Sequence, residues 1–346
     1  MSLLTAAPSL EPQIFPVGRR STLLVDAARD NRMLGVDIWY PASLAHEPLA
    51  TYELLPGIAF ESAGARHEPA VAPGQFPLVL FSHGRTGMRF AYSLLSEALA
   101  ARGAIVVSAD HPGDALADWL LGTNVDDRTN EMNRVGDAGF LLDSVLAGAD
   151  HVTGLPDDLI AGIDAQRIAA VGHSYGAYTA LAMVAGTRGI AADTRVGAVV
   201  GMQAYTRTMS DAALGRVHAP TLLVVAELDT STPPASDADR PWALLPAEPV
   251  WRVDLAAAAH QASSDIGLYA ELAHQIPDLP QIVVDYLESS ARDAIGPGLR
   301  PWREGLLLHT EAIWAFLDVV LKIDPQRGAA AVARLADSDG VTVQRR

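Results

Sequence analysis

Six short runs constrain this chain more than any other feature: PLVLFSH (77–83), AIVVSAD (104–110), RIAAVGH (167–173), VGAVVGM (196–202), TLLVVAE (221–227) and VWRVDL (250–255). Each is apolar on successive positions, as strands are when helices cover both faces of their sheet. Helix-prone stretches at 92–101, 130–149 and 177–185 fall between them, and 304–321 follows with Leu307, Ile313, Trp314, Leu317 and Leu321 at helical spacing. This alternation predicts an α/β fold with a mostly parallel central sheet and helices on both faces.

Ahead of it, FPVGRRSTLLVDA and MLGVDIWYP flank a polar, turn-prone piece at 28–32, which predicts an opening antiparallel hairpin. The stretch 41–75 shows no sustained period and reads as irregular surface with at most one short helix. Two further stretches stand outside the alternation. Residues 111–129 are polar and loop-like, and 264–303 combine a helix with Pro277, Pro280, Pro297 and Pro301, so both are placed to cover the carboxyl edge of the sheet. The tail, 323–346, is Ala-rich with a charged end and is expected to fray. There is no internal repeat, and the chain is read as one domain, 1–346.

Composition removes several classes of function. Cysteine is absent, which excludes disulfides, thiolate metal sites and a cysteine nucleophile. With 41 acidic residues against 25 Lys and Arg, the net charge of -16 disfavours nucleic acid and anionic membrane surfaces as partners. The first twenty residues lack a basic start before an apolar run, and no stretch approaches the length of a membrane span. A cytoplasmic protein without stable membrane insertion is expected; the oligomeric state cannot be read.

Gly172, His173, Ser174, Tyr175 and Gly176 form a G-x-S-x-G between a strand and a strongly helix-prone segment. The bare pattern is expected by chance roughly 0.1 times in a chain of this composition, so the flanking strand and helix are what make it specific. Such a turn holds its serine in a strained conformation, and the glycines give room where strand and helix approach closely. Ser174 is the candidate nucleophile.

A serine attacking an acyl carbonyl builds negative charge on the carbonyl oxygen, which two backbone N–H groups can stabilise. Tyr175 N–H, after the nucleophile, and Arg85 N–H, in the loop following Ser82, His83 and Gly84, are the candidates. The His83 ring reads as a loop side chain hydrogen-bonded to backbone, and the Arg85 side chain as solvated. The nucleophile also needs an imidazole and a carboxylate, which in such a fold follow it in the order acid, then histidine. Asp229, just past the strand 221–226, is the candidate acid, with Glu227 the weaker choice. His260, in the loop after 250–255, is the candidate base. His218 comes too early, and His274 and His309 read as surface or core residues. Asp110, His111 and Asp114 form a cluster that lacks a metal-ligand pattern and reads as a solvated loop.

These residues, in this order, resemble the α/β-hydrolase superfamily from about residue 17 to 321. The segments ending Ile38, Trp39, Tyr40, Pro41, then Phe81 to Gly84, Leu95 to Asp110 before His111, Pro112, Gly113 and Asp114, and Gly172 to Gly176 are similar to the platelet-activating factor acetylhydrolase and dienelactone hydrolase-like esterases. Bacterial polyester hydrolases are similar around the same elements. The resemblance implies an α/β-hydrolase fold and a serine esterase acting through an acyl-enzyme on short to medium acyl or aryl esters, with no cofactor. In it Ser174 is nucleophile, His260 base, and the backbone of Arg85 and Tyr175 the oxyanion hole. Platelet-activating factor acetylhydrolases carry their acid after the sixth strand, but here that position reads Gly201 to Tyr205 without a carboxylate, which leaves Asp229. A non-catalytic binding protein of the same fold, and a peptidase or acyltransferase using the same three residues, are the alternatives.

Overall fold

The computed structural model describes residues 15–44, 46–147, 155–276 and 279–346. In chain order its first half comprises β1 (Val17–Asp26), β2 (Arg32–Pro41), β3 (Leu49–Leu55), β4 (Ile58–His67), β5 (Phe76–Ser82), α1 (Ser93–Ala101), β6 (Ile105–Ala109), α2 (Leu116–Leu121), α3 (Asp127–Leu146) and α4 (Asp157–Ala161). Then follow β7 (Ile163–His173), α5 (Tyr175–Ala185), β8 (Ala198–Met202), α6 (Asp211–Leu214), β9 (Thr221–Ala226), α7 (Arg240–Leu244) and β10 (Val250–Leu255). The chain closes with α8 (Ile266–Ala273), α9 (Gln281–Ala291), α10 (Trp302–Val320), α11 (Pro325–Ala336) and β11 (Val341–Arg345).

The eleven described strands form one sheet in the order β11-β10-β9-β8-β7-β5-β6-β2-β1-β4-β3. The six strands from β6 to β10 in that row are parallel, and β1 and β2 form the expected antiparallel hairpin. Leu78 and Leu80 belong to the apolar layer that holds Val135, Leu142 and Leu181, whereas Val79 and Phe81 belong to the layer that holds Leu95, Leu99, Ile313 and Phe316. A strand buried on both faces has no polar side, hence its unbroken apolar run. The chain passes from β5 to β6 on one side and then crosses back to β7 on the other. Where strand order reverses, the crossing connections leave in opposite directions and open a crevice at the carboxyl ends. Here that crevice lies beyond Ser82 and His173.

Four expectations need correction. Residues 41–75 are not irregular, because Ala50, Tyr52 and Leu54 are buried in alternation with exposed Thr51 and Glu53, and β3 pairs antiparallel with β4. Their strand signal is short and ends at Gly57, which turns with a φ of +76°. Within 111–129 lie α2 and the start of α3, which Asp126 caps by accepting the Thr129 N–H at 3.1 Å. Residues 264–303 hold two helices, α8 and α9. The tail does not fray: α11 buries Ala331, Val332 and Leu335, and β11 pairs antiparallel with β10, covering what would be an open parallel edge. Residues 1–14, the end of the helix expected at 130–149, and Pro277 lie outside the described residues. No described helix is long and apolar enough to cross a membrane.

Candidate active site

Strand β7 ends at His173 and α5 begins at Tyr175, so the whole change of direction falls on Ser174, with φ 55° and ψ -118°. A side chain at positive φ is strained and persists only where its surroundings over-determine it. Ser174 N–H donates to the Met202 carbonyl at 3.0 Å, and its own carbonyl accepts from the N–H groups of Ala177 and Tyr205, each at 3.0 Å. The flanking glycines are steric necessities. A Cβ on Gly172 would lie 2.2 Å from the Gly176 backbone, and one on Gly176 would lie 1.9 Å from the Ser82 carbonyl oxygen.

Three of the sequence candidates meet beyond the strand ends. His260 Nε2 lies 3.0 Å from Ser174 Oγ, and His260 Nδ1 lies 2.8 Å from Asp229 Oδ2. Asp229 Oδ1 accepts the N–H groups of Ser231 and Thr232 at 2.9 and 2.8 Å, and the Thr232 hydroxyl stands 2.6 Å from Oδ2. Burial alone would raise the Asp229 pKa, but the hydrogen bonds and charge of His260 and Thr232 outweigh it and hold the carboxyl below its usual range. An ionised Asp229 fixes the proton of His260 on Nδ1, which leaves Nε2 as the acceptor facing the serine hydroxyl.

His173, which the sequence reading left without a role, latches this arrangement. Its Nε2 lies 2.7 Å from the His260 carbonyl and its Nδ1 2.6 Å from the Tyr92 hydroxyl. Burial, with the neighbouring His260, pushes its pKa well below the ordinary value, so it is neutral, donates to the carbonyl from Nε2 and accepts from Tyr92 at Nδ1. Nothing in its spacing signals this, because it occupies a variable position of the motif.

The cleft above Ser174 has a volume of about 290 Å³, and Gly84, Arg85, Ser174 and His260 lie in its lining. Tyr175 N–H, at the first position of α5, has no carbonyl one helical turn behind it within the helix. Apolar wall is supplied by Met88, Leu116, Ile266, Tyr269 and Leu287, three of them from α8 and α9. Helix α9 is fastened to the loop after β5, since the Tyr286 hydroxyl lies 3.1 Å from the Thr86 carbonyl and its ring packs on Trp119 of α2 at 4.7 Å.

The remaining candidates lie elsewhere. The Arg85 side chain is about half exposed and pairs with Asp127 at 2.6 Å. Glu227 accepts the Ala257 N–H at 2.9 Å, His274 pairs with Glu288 on the surface, and His309 is buried on α10 against Gln203. Asp110, His111 and Asp114 are not a solvated loop. His111 and Asp114 are buried, the former between Ser82 Oγ at 2.9 Å and Asp137 at 3.0 Å, the latter against Asn130 and Arg134, while Asp110 pairs with Arg89. Among the described residues no group of three or more such side chains is arranged to hold a metal ion.

The model of the alpha/beta hydrolase family matches residues 79–337, and the chain belongs to that family. Among solved structures it is similar to the ferulic acid esterase from Streptomyces cinnamoneus, at 23% sequence identity and a TM-score of 0.66, covering 93% of this chain and 94% of that one. At that identity the likeness speaks for the fold. A comparison with curated proteins found no match.

Proposed function

We propose that the protein is a serine hydrolase that cleaves carboxylic esters through an acyl-enzyme. The observation that carries this reading is the chain of contacts from Asp229 to His260 to Ser174, at 2.8 and 3.0 Å, ending in an open cleft. In the proposed reaction Ser174 Oγ attacks the acyl carbon while His260 Nε2 takes its proton. Asp229 stabilises the resulting imidazolium. The tetrahedral oxyanion is held by the N–H groups of Arg85 and Tyr175 until the alcohol leaves with the proton from His260. Water, deprotonated in turn by His260, then releases the acid and restores Ser174.

A cleft of about 290 Å³ is at the low end for small-molecule sites and favours short to medium acyl or aryl esters. Tyr269 and Tyr286 in its wall suit a flat aromatic group, and the similar fold of a ferulic acid esterase supports including aryl esters. The resemblance to the platelet-activating factor acetylhydrolase and dienelactone hydrolase-like group favours short acyl chains as well. The test is hydrolysis of p-nitrophenyl esters from acetate to long chain by the wild type and by Ser174→Ala. Turnover that falls with chain length and vanishes in the variant supports the reading; a wild type inactive on every ester overturns it.

A further inference from the structure

The cluster of Asp114 and its neighbours belongs to a buried charge network directly behind the loop that follows β5. Its centre is Arg134 on α3, with no exposed surface. Arg134 Nη1 donates to the His83 carbonyl at 2.7 Å, Nη2 to the Gly84 carbonyl at 3.0 Å, and Nε to Asp114 Oδ2 at 2.8 Å. Asp114 also accepts from Asn130 Nδ2 at 2.6 Å. A buried guanidinium without a counter-ion is strongly destabilising, and Asp114 provides one.

The Gly84 carbonyl is the centre of attention of three donors: Arg134, the Gly87 N–H at 3.2 Å, and His83 Nδ1 at 2.6 Å. Burial and the charge of Arg134 push the His83 pKa well below its ordinary value, so this ring is neutral and carries its proton on Nδ1. The 3.5 Å approach of Arg134 Nη2 to the same Nδ1 is then a contact between two donors and holds no bond.

That carbonyl belongs to the Gly84–Arg85 peptide, which is trans. In a planar trans peptide the N–H points opposite to the C=O. With the Gly84 oxygen drawn back toward α3, the Arg85 N–H is turned away from α3, and Gly84 and Arg85 line the cleft beside Ser174 together with Thr86, Gly87 and Met88 of the same loop. We propose that Arg134, anchored by Asp114, is a positioning residue that aims the Arg85 N–H at the developing oxyanion. A cation bonded to the carbonyl also polarises the peptide and makes its N–H a stronger donor. The inference rests on the reading of Arg85 N–H as an oxyanion donor.

The test compares Arg134→Lys and Arg134→Gln with wild type for kcat and KM on p-nitrophenyl acetate, inhibition by a trifluoromethyl ketone, the pH profile and thermal unfolding. A lysine keeps the charge but cannot reach two carbonyls and Asp114 together in the fork geometry. Removing an oxyanion donor outright costs about 10²–10³ in kcat. Misaiming one is therefore expected to lower kcat about 10- to 100-fold, with KM within about twofold, the midpoint of the pH profile unmoved, and the inhibitor weakened by the same factor as kcat. If Arg134→Gln does not fold, Arg134→Lys and Asp114→Asn carry the comparison. Folded variants that keep kcat within about twofold, or that lose KM and inhibitor binding equally, overturn the proposal. Arg85→Pro, which deletes the N–H itself, separates the two layers. A wild-type rate in Arg85→Pro refutes the oxyanion reading. A slow Arg85→Pro beside a fast Arg134→Lys refutes the role of Arg134 alone. Where both hold, Arg134→Lys adds less than about twofold in the Arg85→Pro background.

Discussion

A single methyl group added at Gly176 isolates the geometry on which the site depends. The Cβ of Gly176→Ala would stand 1.9 Å from the Ser82 carbonyl oxygen, 2.5 Å from its carbon and 2.8 Å from the His83 oxygen. Ordinary contact begins near 3.4 Å, so helix α5 and the end of β5 must separate by about 1.5 Å, and no rotamer relieves a clash between backbones. Overpacking of this kind costs about 3 kcal/mol, the upper end for cores that can still adjust. The functional penalty is expected to be larger than the stability penalty. Ser174 moves with α5 while His260 is held by His173 and Asp229, and a displacement of about 1 Å between reacting groups costs on the order of 10²-fold. Initial rates on p-nitrophenyl acetate, alongside thermal unfolding by circular dichroism, test this. The expected result is a protein that melts cooperatively at lower temperature with kcat/KM reduced about 100-fold or more. A folded variant within about threefold of wild type would refute the reasoning, because it would mean that the strand and helix can part without disturbing the serine.

Asp229→Asn is expected to lower kcat on the order of 10⁴-fold while preserving the fold, because an amide oxygen takes over the Ser231 and Thr232 bonds and its NH₂ then faces His260 Nδ1, forcing the proton onto Nε2. Steady-state kinetics with a melting curve check it. Acid should destabilise the protein in a defined window. Burial holds His309 at a pKa of about 4 against 6.5 ordinarily, so the unfolded chain takes up the proton first, and up to about 3 kcal/mol is lost as pH falls from 6.5 to 4, with no effect above that range. Denaturant unfolding of wild type and His309→Gln across pH 4–7 measures this loss, which the variant should lack. Gly139→Ala, on α3 where a Cβ meets nothing within 4 Å, should raise stability by about 0.5–1 kcal/mol with kcat unchanged, as read by unfolding and initial rates.

The parts of the fold that were legible in the sequence are those whose signal is local. Strands β5, β6, β8 and β9 and the second half of β7 are buried and largely apolar because helices cover both faces, and the G-x-S-x-G marks the turn at Ser174 through glycines that the packing cannot replace. Chain order then brought Asp229 and His260 within reach. What escaped was non-local. Strand β3 is short and half exposed, and β11 reveals itself only once β10 offers an edge to pair with. Asp114 read as part of a solvated loop because a charge shows burial only through its partner, and its partner Arg134 lies twenty residues further on, on a helix. His173 carries no signal at all, since its function comes from a bond to the His260 carbonyl, 87 residues further on.

The most direct test of the acyl-enzyme is the intact mass of the protein after rapid acid quench during turnover of a p-nitrophenyl ester, followed by peptide mapping. One acyl group on Ser174, absent from Ser174→Ala, is the expected result. Turnover with no covalent adduct, or an adduct on another residue, would contradict the assignment of Ser174 as nucleophile.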